Sequence, residues 1–198
     1  MIESLDFSKG NGLMPVIVQD SETSAVLMLG YMNGESVEKT IQDKKVTFWS
    51  RSKKRLWQKG ESSGNYLHYV SMEKDCDSDS LLIQAIPEGP TCHTGSYSCF
   101  NVQPDKLSIL RVLEILINHR AEELPENSYT TTLLKSNISL VAQKVGEEAV
   151  ETVVAGLSQE LTDLHEESAD LIYHLLVLLK KRDTNFDAVL DVLAKRRG

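Results

Sequence analysis

The hydrophobic period of this 198-residue sequence changes once, and that change limits its possible folds more than any other feature. Up to about residue 101 the apolar residues come in short β-branched runs: PVIVQD, AVLMLGYM, VTFWS, YLHYVSM and LLIQAIP. Gly and Pro punctuate them, which is the pattern of strands joined by turns. One short helix is expected in this half, over residues 36–45 behind Asn33 and Gly34. From Lys106 onward the apolar residues recur at a period of about 3.6. Four helices are expected there, in LSILRVLEILINHRAEEL, ISLVAQKVGEEAVETVVAGL, LTDLHEESADLIYHLLVLLKKR and FDAVLDVLAKRR. Neither period persists through residues 101–105, where Pro104 stops a helix and leaves a strand without a donor. The sequence therefore predicts two domains, a mainly β (α+β) one over 1–104 and an all-α one over 105–198.

Composition narrows the classes of partner. Hydrophobic residues at 41% and charged residues at 25% describe a globular chain able to bury a core. A net charge of −8 opposes broad binding to nucleic acid or anionic membranes, since those surfaces attract positive fields. Any phosphate site must then be local. The N-terminus lacks a basic segment followed by an apolar run, and no stretch nears the roughly 18 apolar residues of a membrane span. The expectation is a cytoplasmic protein with no membrane partner. Its cysteines, Cys76, Cys92 and Cys99, are odd in number and confined to the first half. That is unlike a disulfide framework and leaves buried thiols or ligands of one soft metal.

Three segments of the first half carry chemistry. Asp75, Asp77 and Asp79 alternate along DCDSD, so an extended chain would point all three carboxylates to one face. Like charges so close repel unless a cation lies among them. The sequence departs from an EF-hand, which needs Gly and Glu where Ser80 and Ile86 stand, whereas magnesium suits a few carboxylates. A solvated acidic turn is the alternative. In PTCHTGSYSCF, Cys92 and Cys99 occupy a polar loop rather than an apolar run, with His93 beside one thiol as a candidate proton carrier. In SRSKKRLWQKGESSGN, Arg51, Lys53, Lys54, Arg55 and Lys59 supply positive charge, and Gly60 and Gly64 let backbone N–H groups turn toward an anion. The segment has no GxxxxGK[ST], and a basic solvated hairpin would read the same way.

In this order and at this spacing, the three segments resemble phosphoribosyl-AMP cyclohydrolase. The resemblance implies zinc held by Cys76, Cys92 and Cys99, and magnesium held by Asp75, Asp77 and Asp79. It also implies a substrate and phosphate site drawn from Arg51, Ser52, Trp57, Lys59, Gly60, Ser63, Gly64 and Asn65, with His93 catalytic. In that family the zinc ligands come from both subunits, which implies a homodimer. The implied chemistry is attack of water on carbon 6 of an adenine ring, followed by ring opening, in parallel with zinc deaminases.

The second half offers carboxylates on helices. Glu147, Glu148 and Glu151 share an arc of about 100 degrees, with Val145, Ala149, Val150 and Val153 opposite. Glu167 and Asp170 lie three apart on the next helix, beside a stripe of Leu164, Leu171, Leu175 and Leu178. Each set alone could be a solvated face. If the two helices pack antiparallel, the five acids meet. The spacing EExxE followed by ExxD resembles all-α pyrophosphohydrolases of the MazG type. Behind a cyclohydrolase it is similar to phosphoribosyl-ATP pyrophosphohydrolase, which implies Glu147, Glu148, Glu151, Glu167 and Asp170 as magnesium ligands or water activators. The two halves together resemble the bifunctional enzymes of histidine biosynthesis, acting on phosphoribosyl-adenine nucleotides. The alternative is a nucleotide-clearing pyrophosphohydrolase fused to a non-catalytic zinc module.

Overall fold

The computed structural model describes residues 4–197, and its contacts divide the chain into two units, Met1–Ile109 and Leu110–Gly198. Each unit has its own buried cluster.

Among its described residues the first unit holds six strands and one α-helix: β1 (Met14–Asp20), β2 (Val26–Met32), α1 (Gly34–Asp43), β3 (Thr47–Ser50), β4 (Arg55–Gln58), β5 (Leu67–Lys74) and β6 (Leu81–Pro87). Four strands form one sheet in the order β2-β1-β6-β5, and β3 and β4 form a separate hairpin. Strand β1 is antiparallel to β2 and parallel to β6, so the chain between them must cross over, and it does so through α1 and the hairpin. The period of two in β1 buries Met14, Val16 and Val18 on one face and leaves Ile17 half-exposed on the other, beside Leu29 of β2. Val37 of α1, Val46 and Phe48 close over the buried face. Phe48 also stacks on Trp57 across the β3–β4 hairpin, with ring centroids 5.6 Å apart.

Two sequence expectations shift here. The helix starts at Gly34 rather than residue 36, because Asn33 caps it: its side chain accepts from the Ser36 N–H, and Ser36 Oγ accepts from the Asn33 N–H. Strand β4 lies inside the basic segment, where the apolar pattern predicts no strand. It is only four residues long, and Arg55 is exposed while Leu56 to Gln58 are half-buried.

The second unit is helical: α2 (Ser108–Glu123), α3 (Tyr129–Lys135), α4 (Ile138–Ser158), α5 (Leu161–Lys181) and α6 (Phe186–Arg196). Two residues join α4 to α5, and the two helices pack along their lengths as an antiparallel hairpin. Among the described residues five helices stand where four were expected. The extra one, α3, contains three consecutive threonines, which are poor helix formers. Tertiary contacts hold it: Ser128 caps its N-terminus, and buried Thr130 bonds to Tyr173 and Arg120. At its other end Lys181 Nζ donates to the carbonyls of Leu134 and Ser136 at 2.8 and 2.6 Å.

Helix α4 buries few of its side chains. Val141, Glu148 and Ala155 are its buried residues, while Val150, Val153 and Leu157 are 63%, 60% and 84% exposed. The helix therefore turns one of its carboxylates inward and a row of aliphatic side chains outward.

Candidate functional site

In the first unit a cavity of about 420 Å³ opens beside the thiol loop. Eight of the residues expected at the site line it: Trp57, Lys59, Gly60, Ser63, Asn65, Cys92, His93 and Cys99. The fold brings them together from two directions. One wall is the turn after β4, where Gly60 adopts φ +95° and a Cβ would come within 2.7 Å of the Asn65 and Tyr66 backbone. The other is the loop after β6, stitched to β2 by the Cys99 N–H donating to the Leu27 carbonyl at 2.8 Å and by Ser98 Oγ donating to the Val26 carbonyl at 2.7 Å.

Tyr97, between the two loop thiols, is held by a pair that sequence reasoning missed. Its hydroxyl donates to buried Asp20 at 2.5 Å and meets Thr23 Oγ1 at 2.8 Å. Burial, then the bond to Asp20, pushes the Tyr97 phenol up to about 12. No signal in DSETSA marks Asp20 in advance, because its partner stands 77 residues away.

The thiols themselves are unlike. Cys92 accepts from Thr94 Oγ1 at 3.1 Å, and this bond heads the causes that draw its pKa down. Burial pushes the Cys99 thiol up. His93 Nδ1 lies 3.8 Å from Cys92 Sγ. Cys76 is exposed in the turn after β5 and does not line this cavity. Arg51 and Ser52 line a neighbouring concavity with Trp57, where the Arg51 guanidinium lies over the Tyr31 ring at 3.8 Å. Gly64, at φ +78°, shapes the turn between Gly60 and Asn65 without lining the cavity.

Asp75, Asp77 and Asp79 do converge, each offering an oxygen within 4.8 Å of the others. They do so through a turn and not through strand alternation, since β5 ends at Lys74. Asp75 builds the turn: its carboxylate accepts from the N–H groups of Asp79 and Ser80 and from Ser80 Oγ, which holds its pKa at about 2. Lys9, another residue that sequence reasoning passed over, places Nζ 2.6 Å from Asp77 and 3.1 Å from Asp79. An ammonium of the chain itself thus balances this cluster.

In the second unit Glu148 and Glu151 of α4 meet Glu167 of α5, again with oxygens within 4.8 Å. Burial raises the pKa of Glu148, and the charges of Glu151 and Asp170 add to it against the opposing pull of His174. Burial also raises Glu167, followed by repulsion from Glu151 and Asp170. Two of the five expected acids stand apart from the group. Glu147 pairs with Lys144 at 2.6 Å and accepts from Gln143 at 2.8 Å. Asp170 is exposed, close enough to repel its neighbours but outside the cluster of three. His174 was not anticipated. It is 4% exposed, with Nδ1 2.9 Å from the Asp170 carbonyl and 3.6 Å from Glu148 Oε1, and Nε2 3.0 Å from the Tyr129 hydroxyl. Its position four residues after Asp170 was the available signal.

Both units match known families. Residues 28–101 match the phosphoribosyl-AMP cyclohydrolase model, and residues 110–197 match the phosphoribosyl-ATP pyrophosphohydrolase model. The histidine biosynthesis bifunctional protein HisIE of Xylella fastidiosa is 51% identical over 195 residues, covering 98% of this chain and 94% of the relative. Its counterpart in Bacteroides thetaiotaomicron is also 51% identical over 195 residues, with 98% and 96% covered. The Staphylococcus epidermidis protein is 48% identical over 196 residues, with 99% and 92% covered. The chain belongs to the HisIE family. The cyclohydrolase match runs from β2 through the thiol loop, and the pyrophosphohydrolase match spans the helices that carry the acidic cluster. A nucleotide-clearing enzyme fused to an inert zinc module is not favoured by this pairing.

Proposed function

We infer that the chain is a bifunctional hydrolase of histidine biosynthesis, and the observation that carries this conclusion is the match of both units, in this order, to the two enzymes joined in HisIE proteins. The helical unit converts phosphoribosyl-ATP and water to phosphoribosyl-AMP and pyrophosphate. The first unit adds water at carbon 6 of the adenine ring of phosphoribosyl-AMP and breaks the bond from carbon 6 to nitrogen 1.

The residue assignments are ours. Cys92 and Cys99 open onto one cavity in a polar loop, a donor set suited to zinc. Cys76 lies outside that cavity, so a complete zinc site takes Cys76 from a second copy of the chain, which makes the working unit a homodimer. Bound zinc supplies Lewis acidity toward water and the ring. Ser63, Asn65 and the backbone at Gly60, in the turn that Gly64 shapes, orient the ribosyl phosphates, with Arg51 and Ser52 extending the site past Trp57. His93 carries a proton between the attacking water and the departing ring nitrogen. Asp77 and Asp79, with Asp75 shaping their turn, hold magnesium once Lys9 withdraws.

In the helical unit Glu148, Glu151 and Glu167 fit a magnesium ion, because three carboxylates within 4.8 Å, one of them buried, repel one another without a cation. Magnesium held there would offset the charge of the triphosphate. Asp170 and Glu147 border the cluster and complete the oxygen set as the chain adjusts to substrate. A cluster carboxylate takes the proton of the attacking water. Among the described residues no helix is long and apolar enough to cross a membrane, and we place the enzyme in the cytoplasm with its soluble substrates.

One coupled assay tests the whole assignment. Phosphoribosyl-ATP and magnesium are supplied to the zinc-loaded chain, and pyrophosphate and the ring-opened nucleotide should appear in that order. Failure to release pyrophosphate overturns the helical half, and failure to open the ring of phosphoribosyl-AMP supplied directly overturns the other.

A further inference from the structure

Lys59 differs from every other cation of the basic segment. Arg51, Lys53, Lys54 and Arg55 are exposed, as expected of groups that reach for a phosphate from solvent. Lys59 is 6% exposed. Its ammonium donates to the Asn65 carbonyl at 3.0 Å, and no salt bridge to a carboxylate joins it among the described residues. An ammonium has three donors, so this contact leaves two available to the cavity. That cavity is the one lined by Cys92 and Cys99. Burial draws the Lys59 pKa down, and the charges of Cys99 and Cys92 pull it back up. A buried cation without a carboxylate partner is costly unless something anionic faces it.

We propose that Lys59 is the counter-charge of the thiolate zinc site, a role apart from the phosphate binding expected of its neighbours. This rests on the zinc assignment made above. When three thiols lose their protons to solvent and bind one divalent ion, the site passes from neutral to a net charge of −1. A fixed ammonium facing that site favours the charged state and therefore favours zinc. It also restores to the site some of the electrophilic character that three thiolates remove. The same position would suit a phosphate anchor, but such an anchor would leave zinc affinity unaffected.

The test compares the full-length wild-type chain with Lys59→Met and Lys59→Arg by zinc competition against a chromophoric chelator at neutral pH. Lys59→Met keeps the length and apolar body of the side chain, and far-UV circular dichroism checks that it folds. Zinc affinity should fall about tenfold in Lys59→Met, the order expected of one unit charge acting across a partly desolvated cavity. Lys59→Arg should recover most of it, and Lys39→Met, at an exposed position of α1, should match wild type. Unchanged zinc affinity in Lys59→Met, with weakened inhibition by inorganic phosphate, would overturn the proposal and make Lys59 a phosphate anchor. A Cys92→Ser control separates the two levels. If its zinc affinity equals that of wild type, the zinc assignment itself fails and the role of Lys59 falls with it.

Discussion

Replacing Gly60 by Ala is the sharpest test of how the turn after β4 builds the first cavity. Two costs add. The residue keeps φ +95°, where an L side chain is strained by about 1 kcal/mol. Its new Cβ would also lie 2.7 Å from the carbonyl carbon and oxygen of Asn65 and 2.7 Å from the Tyr66 nitrogen. These are backbone atoms and cannot rotate aside, so the turn must shift, at a cost of roughly 1–3 kcal/mol more. Gly64 provides an internal comparison, because at φ +78° a methyl group there would meet nothing within 4 Å, so it should lose only the conformational part. At about 4–8 °C per kcal/mol for a domain of this size, Gly60→Ala should melt roughly 10 °C or more below wild type, and Gly64→Ala about 5 °C below. Both tryptophans, Trp49 and Trp57, belong to the first unit, so tryptophan fluorescence follows its unfolding selectively. Ring opening should weaken with Gly60→Ala, since Lys59 and Asn65 line the cavity, while pyrophosphate release should persist. Equal melting temperatures for the two variants would refute the steric reasoning.

Substituting Glu148 by Gln should lower pyrophosphate release by on the order of 10²–10³-fold while ring opening from supplied phosphoribosyl-AMP continues, and comparable losses in both activities would show that the roles are not separate. The raised pKa values of Glu148 and Glu167 fix the sign of a pH effect. A carboxyl raised in the fold favours the folded state below its ordinary value of 4.5 and loses that contribution as pH rises through the folded value, so the metal-free helical unit should weaken from pH 4.5 upward. Magnesium should reverse this near neutral pH, and a helical melting transition insensitive to both pH and magnesium would refute the assignment.

Some departures of the structure from the sequence expectations share one cause. The three threonines of α3 argue against a helix, and contacts from Arg120, Tyr173 and Lys181 decide in its favour. Val150 and Val153 lie opposite the acids of α4 and are exposed, while Glu148 is buried. Periodicity gives the faces of a helix but not which face its neighbour covers. The carboxylates of DCDSD converge, but through a turn that Asp75 itself caps, because hydrogen bonds across five residues outweigh continuation of β5.

Local order in the sequence determined the two-part architecture and the chemical inventory: thiols in a polar loop, alternating acids, and paired acidic sets on helices. These are properties of residue type and spacing along a few turns of chain. Tertiary structure decided which of those groups meet. It selected Glu148, Glu151 and Glu167 out of five acids, put Lys9 against Asp77 and Asp79, braced Tyr97 with Asp20, and buried Lys59 beside two thiols while its basic neighbours stayed in water. Each of these depends on the rotation of one element against another distant in sequence, and burial and charge acquire their values only when those surfaces close.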